Sequence, residues 1–387
     1  MKIAILLETS YSGGGSFTHS INASININKF LNKNNRVVIY TNIKKNFEII
    51  KDLNLPAVLF SFSFLDKILL KLSFFKFFRV LFHILNINTS LENKLLNDKI
   101  DLIYFPVLSN TVFSLKKISF ISTFLDLEHF RHSIFPEINK KEFYQRERLY
   151  FYALKKSLLI TVSHKIIKKR MCNHYNINYD KVVVIPYTAG SLFKSKKNLK
   201  KIRKKFINLK NYFFYPAQIW AHKNHISILR AAKKLKKYQN NISFVFSGRD
   251  RGYKHELEKY IFKNNIKNVH FTGFLDNSEM DYIYKNCKGV IFTSLFGPDA
   301  IPPLETWSYK KPLIYNNRNE DDVSKKTAIL VDVKNPDAIS KAIIKIYNRR
   351  YNKNYVLNGL KKLKNVEKDS QRGYLALNKK LKLLFEN

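Results

Sequence analysis

The chain has 387 residues, long enough for two domains, each with a core of its own. Hydrophobic residues make up 45 %, which excludes a disordered chain. Lys and Arg number 69 against 29 Asp and Glu, a formal net charge of +40, and this favours anionic partners: nucleic acid, phospholipid headgroups or phosphorylated substrates. A compositional bias of the source explains the same excess, since Asn and Ile are also abundant and the lysines are spread along the chain.

Ile3–Leu7 reads as a strand, and Glu8 arrives too early for a signal-peptide core. The turn Ser12-Gly13-Gly14-Gly15-Ser16 follows, then a helix over Phe17–Leu31 and a strand over Arg36–Thr41. Ile68–Ile87 reads as one helix, apolar nearly all round, with Lys67, Lys71, Lys76, Arg79 and His83 on one half. Such a helix lies in an anionic membrane surface, or it is a core helix whose basic side chains snorkel. The charges interrupt the run, so it is no membrane span. Strands are expected at Leu102–Phe105, Ile118–Thr123, Leu158–Val162 and Val182–Ile185, with helices at Lys141–Lys155 and Lys165–Tyr175.

Tyr187–Leu209 is polar, basic and poorly periodic, and reads as a linker. The alternation then restarts. Strands are expected at Tyr212–Tyr215, Ile242–Phe246, Val269–Thr272, Gly289–Thr293 and Pro312–Tyr315. Helices are expected at Asn224–Tyr238, Lys254–Lys263, Ser278–Asn286 and Pro303–Tyr309, and the chain is helical from about Pro336. The expected fold is α/β: two doubly wound, Rossmann-like domains over residues 1–190 and 205–350, facing a cleft, with a helical tail over 351–387. Cys172 and Cys287 lack metal-ligand spacing and fit a reduced, cytoplasmic setting.

Three segments carry chemistry. Gly13–Gly15 precede a helix, where backbone N–H groups can approach an anion; a tight turn explains them equally well. Tyr215–His225 (YPAQIWAHKNH) sets Lys223 at a helix N-terminus, where a diphosphate would satisfy both the ammonium and the amides, unless it is simply a solvated lysine. Phe296–Glu305 (FGPDAIPPLE) puts prolines at a helix start and Glu305 in its first turn, as a ribose ligand or as an acid favoured by the dipole.

In that order and spacing these segments resemble the family-4 glycosyltransferases, retaining enzymes of the GT-B architecture. The resemblance runs from the first strand to about Tyr347 and is strongest at Tyr215–His225, at Phe271–Leu275 (FTGFL) and over Ile291–Ile314. Thr123–Pro136 (TFLDLEHFRHSIFP) and Ile160–Lys165 (ITVSHK) also resemble family segments. It implies that Gly13, Gly14 and Gly15 lie near the donor phosphates and acceptor. Lys223 would neutralise the diphosphate, with Gln218 and Asn224 beside it. Phe274 would lie near the base, and Glu305 would hold the ribose. The turn from Gly297 to Ile301 would face the sugar. Asp126, His129 and Glu305 are the implied catalytic candidates. Neither cofactor nor metal is implied, the nucleotide-sugar being a co-substrate.

Two positions depart from the family. Gly297 stands where a first glutamate, eight positions before the second, is often found; a related FGP…IPPLE variant also lacks it. Leu125 stands where a His tends to precede the Asp. The implied activity is transfer of a hexose-type sugar to a glycan or lipid-linked glycan in surface polysaccharide synthesis, at the cytoplasmic face of the membrane. The rivals are a GT-B nucleotide-sugar epimerase and a non-enzymatic basic protein that binds membrane or nucleic acid. No specific nucleic-acid motif supports the latter.

Overall fold

The computed structural model describes residues 1–31, 35–131, 135–190, 199–235, 238, 241–297, 301–317 and 323–385. The chain divides into two compact units. Unit 1 comprises Met1–His129, Lys140–Tyr187 and Lys368–Asn387; unit 2 comprises Phe130–Asn139 and Thr188–Glu367.

The strands of unit 1 are β1 (Lys2–Leu6), β2 (Arg36–Thr41), β3 (Ala57–Leu59), β4 (Leu102–Phe105), β5 (Ser119–Thr123), β6 (Leu159–Val162) and β7 (Val182–Val184). They form one parallel sheet in the order β3-β2-β1-β4-β5-β6-β7. Unit 2 holds β8 (Tyr212–Pro216), β9 (Ser243–Ser247), β10 (Val269–Gly273), β11 (Gly289–Phe292), β12 (Leu313–Asn316) and β13 (Ile329–Val331), also all parallel, ordered β10-β9-β8-β11-β12-β13. Central strands such as β4 and β11 are buried along their whole length. Helices cover both faces of a parallel sheet, so such strands are apolar on both sides instead of alternating. The doubly wound α/β expectation therefore holds. In each sheet the winding reverses at one place, between β1 and β4 and between β8 and β11. Loops leaving such a pair diverge and open a crevice at the strands' carboxyl ends.

Two short edge strands of three residues each, β3 and β13, escape the sequence reading. The helix expected over Ile68–Ile87 is two helices, Phe64–Ser73 and Lys76–Ile84, broken at Phe74 and Phe75. Phe75 is extended, and Arg79 Nη1 donates to the carbonyls of Ser73 and Phe74, satisfying groups that a continuous helix would have paired internally. The two expected stripes do not separate: Arg79 is half-buried, while Phe77, Val80 and Ile84 face outward together with the exposed Lys76 and His83. In the expected linker, residues 199–205 form a helix, Leu199–Lys205, and residues 191–198 lie outside the described residues.

The tail over 351–387 is no unit of its own. One helix, Asn354–Phe385, contributes its residues up to Glu367 to unit 2 and the rest to unit 1. Leu363 and Val366 join the core of unit 2, and Gly359 lies against Trp307 so closely that a Cβ there would sit 2.3 Å from the indole Cδ1. In unit 1, Tyr374 stacks on Phe30 (5.9 Å between centroids, 4° between planes), and a Cβ on Gly373 would sit 2.6 Å from the Val184 carbonyl oxygen. Gly359→Ala and Gly373→Ala are each expected to lower the free energy of unfolding by about 1–3 kcal/mol, read from urea or thermal unfolding, because neither neighbour can retreat freely.

Candidate functional site

The crevice of unit 2 begins where β8 ends. Residues Ala221–Lys223 form a short 3-10 turn, and Asn224 (φ 58°, ψ 38°) joins it to the helix His225–Lys234. Asn is among the few side chains that tolerate this left-handed conformation. The turn is tied to the strands behind it. Tyr215 Oη donates to the Lys223 carbonyl at 2.6 Å, and Thr293 Oγ1, just past β11, donates to the carbonyls of Lys223 and Asn224 at 3.3 and 3.1 Å. Asn224 Nδ2 donates in return to the Thr293 carbonyl, and Ser227 Oγ donates to Asn224 Oδ1 at 2.8 Å.

The backbone so held delivers the Lys223 ammonium to the second loop. Its Nζ lies 3.4 Å from Ser294 Oγ and 3.6 Å from where a Cβ on Gly297 would stand. Gly297 has φ 112°, a conformation strained for any L side chain. This gives a backbone reason for glycine where the family often has glutamate. Residues 298–300 of the expected sugar-facing turn lie outside the described residues, and Ile301 is the buried first residue of the next helix.

That helix spans Ile301–Ser308, so Glu305 stands in its second turn, not its first, and the helix-start explanation falls. Its carboxylate accepts from Tyr284 Oη at 2.7 Å, and burial pushes its pKa up to about 7 although the hydrogen bond opposes this. Tyr284 is itself stacked on Tyr309, 4.9 Å away with the rings 2° from parallel. His225 is fully buried against Tyr215, and desolvation followed by the nearby Lys223 charge lowers it to about 3, so it is neutral.

Gln218 takes a hydrogen bond from Arg251 Nε, and the Arg251 guanidinium lies 5.5 Å over the Trp220 ring. Arg249 lies 5.9 Å over Phe274. Both arginines follow β9, the strand beside β8, and the sequence reading missed them. The Ser247–Gly252 run (SGRDRG) just past an expected strand was the available signal. Gly248 there has φ 140°, and a Cβ would stand 2.4 Å from the Ala217 carbonyl oxygen. The second omission is Glu137, which belongs with unit 2 by its contacts. It accepts from the His222 backbone N–H at 3.0 Å and pairs with His222 Nδ1, while Phe135 and His222 both pack on Phe296.

In unit 1 the glycine turn leaves β1 at the reversal point. Gly14 (φ 65°, ψ −127°) takes a conformation open mainly to glycine and leads into the helix Gly15–Leu31. A Cβ on Gly13 would stand 3.1 Å from Thr9 Cγ2, whereas Gly15 faces open space. Two titratable groups gather here that the sequence reading did not use. Glu8 accepts from Ser109 and Thr111 hydroxyls in the loop after β4, and burial raises its pKa. His19 Nε2 lies 3.1 Å from the Pro106 carbonyl oxygen, and desolvation lowers it to about 4.

Asp126 and His129 follow β5. Asp126 Oδ1 accepts from the Glu128 N–H, capping the helix Glu128–Arg131, and lies 3.4 Å from Arg146 Nη1. His129 is 1 % exposed, with Nε2 2.7 Å from Glu147 Oε1, which Tyr175 Oη also approaches at 2.5 Å. The structure thus brings Gln218, Lys223, Asn224, Gly297 and Glu305 into one unit around one reversal point. Gly13–Gly15, Asp126 and His129 belong to the other unit, with His129 turned into its interior.

Residues 196–362 match the family "Glycosyl transferases group 1". An uncharacterized glycosyltransferase of Methanocaldococcus jannaschii is 26 % identical over 216 residues, which is 53 % of this chain and 54 % of that protein. The match thus spans only about half of that curated relative. Among solved structures, an Anabaena protein, HepE, in complex with UDP-glucose is 16 % identical with a TM-score of 0.71, covering 98 % of this chain and 100 % of that one. A glycosyltransferase from Rickettsia africae is 15 % identical with a TM-score of 0.67, covering 100 % and 99 %. At such identities the likeness establishes the fold, which is that of the GT-B glycosyltransferases.

Glu305 has a consequence for stability. Its pKa is higher folded than unfolded, so its contribution is fully present below about pH 4.5 and lost as pH rises through about 7. The loss amounts to at most about 3 kcal/mol. Glu305→Gln removes this slope, so the wild-type minus variant difference in unfolding free energy, followed by urea titration across that window, is expected to fall as pH rises.

Proposed function

We propose that the chain is a retaining glycosyltransferase that moves a hexose-type sugar from a nucleoside-diphosphate sugar to a glycan or lipid-linked glycan in surface polysaccharide synthesis. The observation that carries this reading is the Lys223 ammonium, held beside Ser294 and Gly297 at the reversal point between β8 and β11. The family match over the same unit and the UDP-glucose complex of the Anabaena relative support it.

In this reading the acceptor hydroxyl oxygen bonds to the anomeric carbon on the face from which the leaving group departs. The carbon–oxygen bond to the diphosphate breaks with its electron pair on the diphosphate, and the hydroxyl proton passes to the departing phosphate oxygen. Negative charge grows on the leaving group, so a fixed ammonium and the first amides of helix His225–Lys234 stabilise the transition state more than the ground state. Those groups do the work that a metal would otherwise do, and the reading needs no cofactor. Ribose hydroxyls donate to Glu305, the base lies by Phe274 and Arg249, and Gln218 and Asn224 shape the loop that presents Lys223. The Gly13–Gly15 amides line the donor and acceptor side of unit 1, with Asp126 on the acceptor side. His129, bonded to Glu147, is a positioning residue in this scheme.

Thermal unfolding with UDP-, GDP-, ADP- and CMP-sugars is the test, because a ligand of the folded state raises its stability. One nucleotide class is expected to stabilise the wild type and to lose that effect in Lys223→Ala, whose turnover falls about 10²–10³-fold. Folded protein that none of them stabilises overturns the donor assignment. Conversion of the sugar without any acceptor replaces transfer with epimerisation.

Donor binding carries a pH signature as well. Ribose hydroxyls prefer the ionised Glu305, so the Kd is expected to fall as pH rises through about 7, and Glu305→Gln to flatten that profile.

A further inference from the structure

We propose that a groove in unit 1, between helices Lys76–Ile84 and Lys140–Lys156, docks on an anionic phospholipid surface. Arg148, Lys141 and Lys155 would take headgroup phosphates, and the apolar side chains around residues 64–87 would enter the interface. The proposal rests on the reading above only in making a lipid-linked acceptor the reason for being there.

The groove has a volume of about 1130 Å³. On the helix Lys140–Lys156, the residues Lys141, Tyr144, Arg148, Phe151 and Lys155 recur every three or four positions and so form one stripe, and all five are exposed. Cations and aromatic rings thus alternate along one wall. The lining residues include one acid, Glu147, whose Oε1 is engaged by Tyr175 and His129, against five lysines and two arginines, so the groove is net positive.

Arg148 is a prepared phosphate ligand. Its guanidinium lies 4.4 Å over the Phe74 ring and 5.5 Å over the Phe75 ring. No hydrogen bond or ion pair engages it among the described residues. Stacking fixes the plane of the guanidinium and leaves its N–H edge for an anion's oxygens. Arg79 differs: stacked on Tyr152 and bonded to two carbonyls, it helps build the floor.

The apolar rim selects the class of partner. Phe64 is 77 % exposed, Leu65 69 %, Phe77 71 % and Ile84 73 %. Phe77 and Ile84 are seven residues apart on one helix, on one face, and Val80 between them lines the groove. A free phosphate or a nucleic acid would use the cations and leave these side chains in water. A bilayer uses both, since apolar burial and attraction to anionic headgroups add. Among the described residues no helix is long and apolar enough to cross a membrane, so the contact is interfacial.

The test is co-sedimentation of the full chain with vesicles of phosphatidylcholine, with and without phosphatidylglycerol, at low and high salt. Binding is expected only with phosphatidylglycerol and is weakened by salt. Lys141→Glu with Arg148→Glu is expected to lower partitioning about tenfold or more. Phe77→Ser with Ile84→Ser is expected to lower it at unchanged charge. Thermal unfolding of each variant, with and without nucleotide sugar, verifies folding and donor response. Wild-type protein that stays in the supernatant with anionic vesicles overturns the proposal, as does undiminished binding by the charge-reversed variant. Undiminished binding by the Phe77/Ile84 variant removes the apolar contact, and displacement by inorganic phosphate alone assigns the cations to a soluble anion; either result also overturns it. A missing donor response alongside intact vesicle binding counts against the glycosyltransferase reading alone.

Discussion

The hydrogen bonds from Tyr215 and Thr293 to the carbonyls of Lys223 and Asn224 tie the loop after β8 to the strand end of β11. Each loop leaves a buried strand, so its starting point is fixed by the sheet, and the ties fix where it goes next. Lys223 has four rotatable side-chain bonds, and a flexible ammonium loses much of its value for catalysis if it must be ordered at each turnover. Here the backbone under it is immobilised and its tip rests between Ser294 and Gly297. The conformation of Gly297, the αL residue Asn224 and the buried neutral His225 then follow as parts of one arrangement that holds a single cation at a strand end.

The charge of the chain takes on different meanings in different places. Most lysines are exposed and solvated, and their ion pairs, such as Lys45 with Glu48 or Lys259 with Glu256, lie on the surface where they contribute little. Cations laid over aromatic rings are another matter. Arg79, Arg148, Lys155 and Lys156 all lie over rings in the same part of unit 1. A ring face lowers the electrostatic cost of a cation without neutralising it, so these groups retain their pull on an anion from outside. Such positive charge on aromatic surface recurs in unit 2, where Arg249 and Arg251 lie over Phe274 and Trp220, so two regions stand out in a chain that is basic nearly everywhere.

Much of the architecture was legible in the sequence, because buried parallel strands are short apolar runs and the helices between them are amphipathic. The spans Arg36–Thr41, Leu102–Phe105, Lys165–Tyr175 and Lys254–Lys263 agree residue for residue. Where pattern and physics parted, the reasons are local. The break at Phe74–Phe75 was invisible because both sides are equally apolar, and an arginine four residues on supplies the missing hydrogen bonds. Glu305 was one turn from its expected position because prolines at 302 and 303 mark a helix start without fixing its first residue. Lys223, Asn224 and Gly297 came together because a motif and a topology both point to strand ends. Glu137 acts through contacts made by folding, and no spacing in the chain announces such contacts.

The helix Asn354–Phe385 sets an order of events during synthesis. Tyr374, Leu377 and Leu381, which are buried with unit 1, are made about 180 residues after that unit's last preceding stretch ends at Tyr187, a delay of roughly 10–40 s at ordinary elongation rates. Through that interval the surface around Phe30 and Val184 has no cover, while Thr188–Glu367, the larger part of the second unit, emerges from the ribosome. The unit that is begun first is therefore finished last. A ribosome that stalls shortly before residue 368 leaves a nascent chain whose second sheet is complete and whose first sheet still exposes an apolar flank to chaperones and to neighbouring chains.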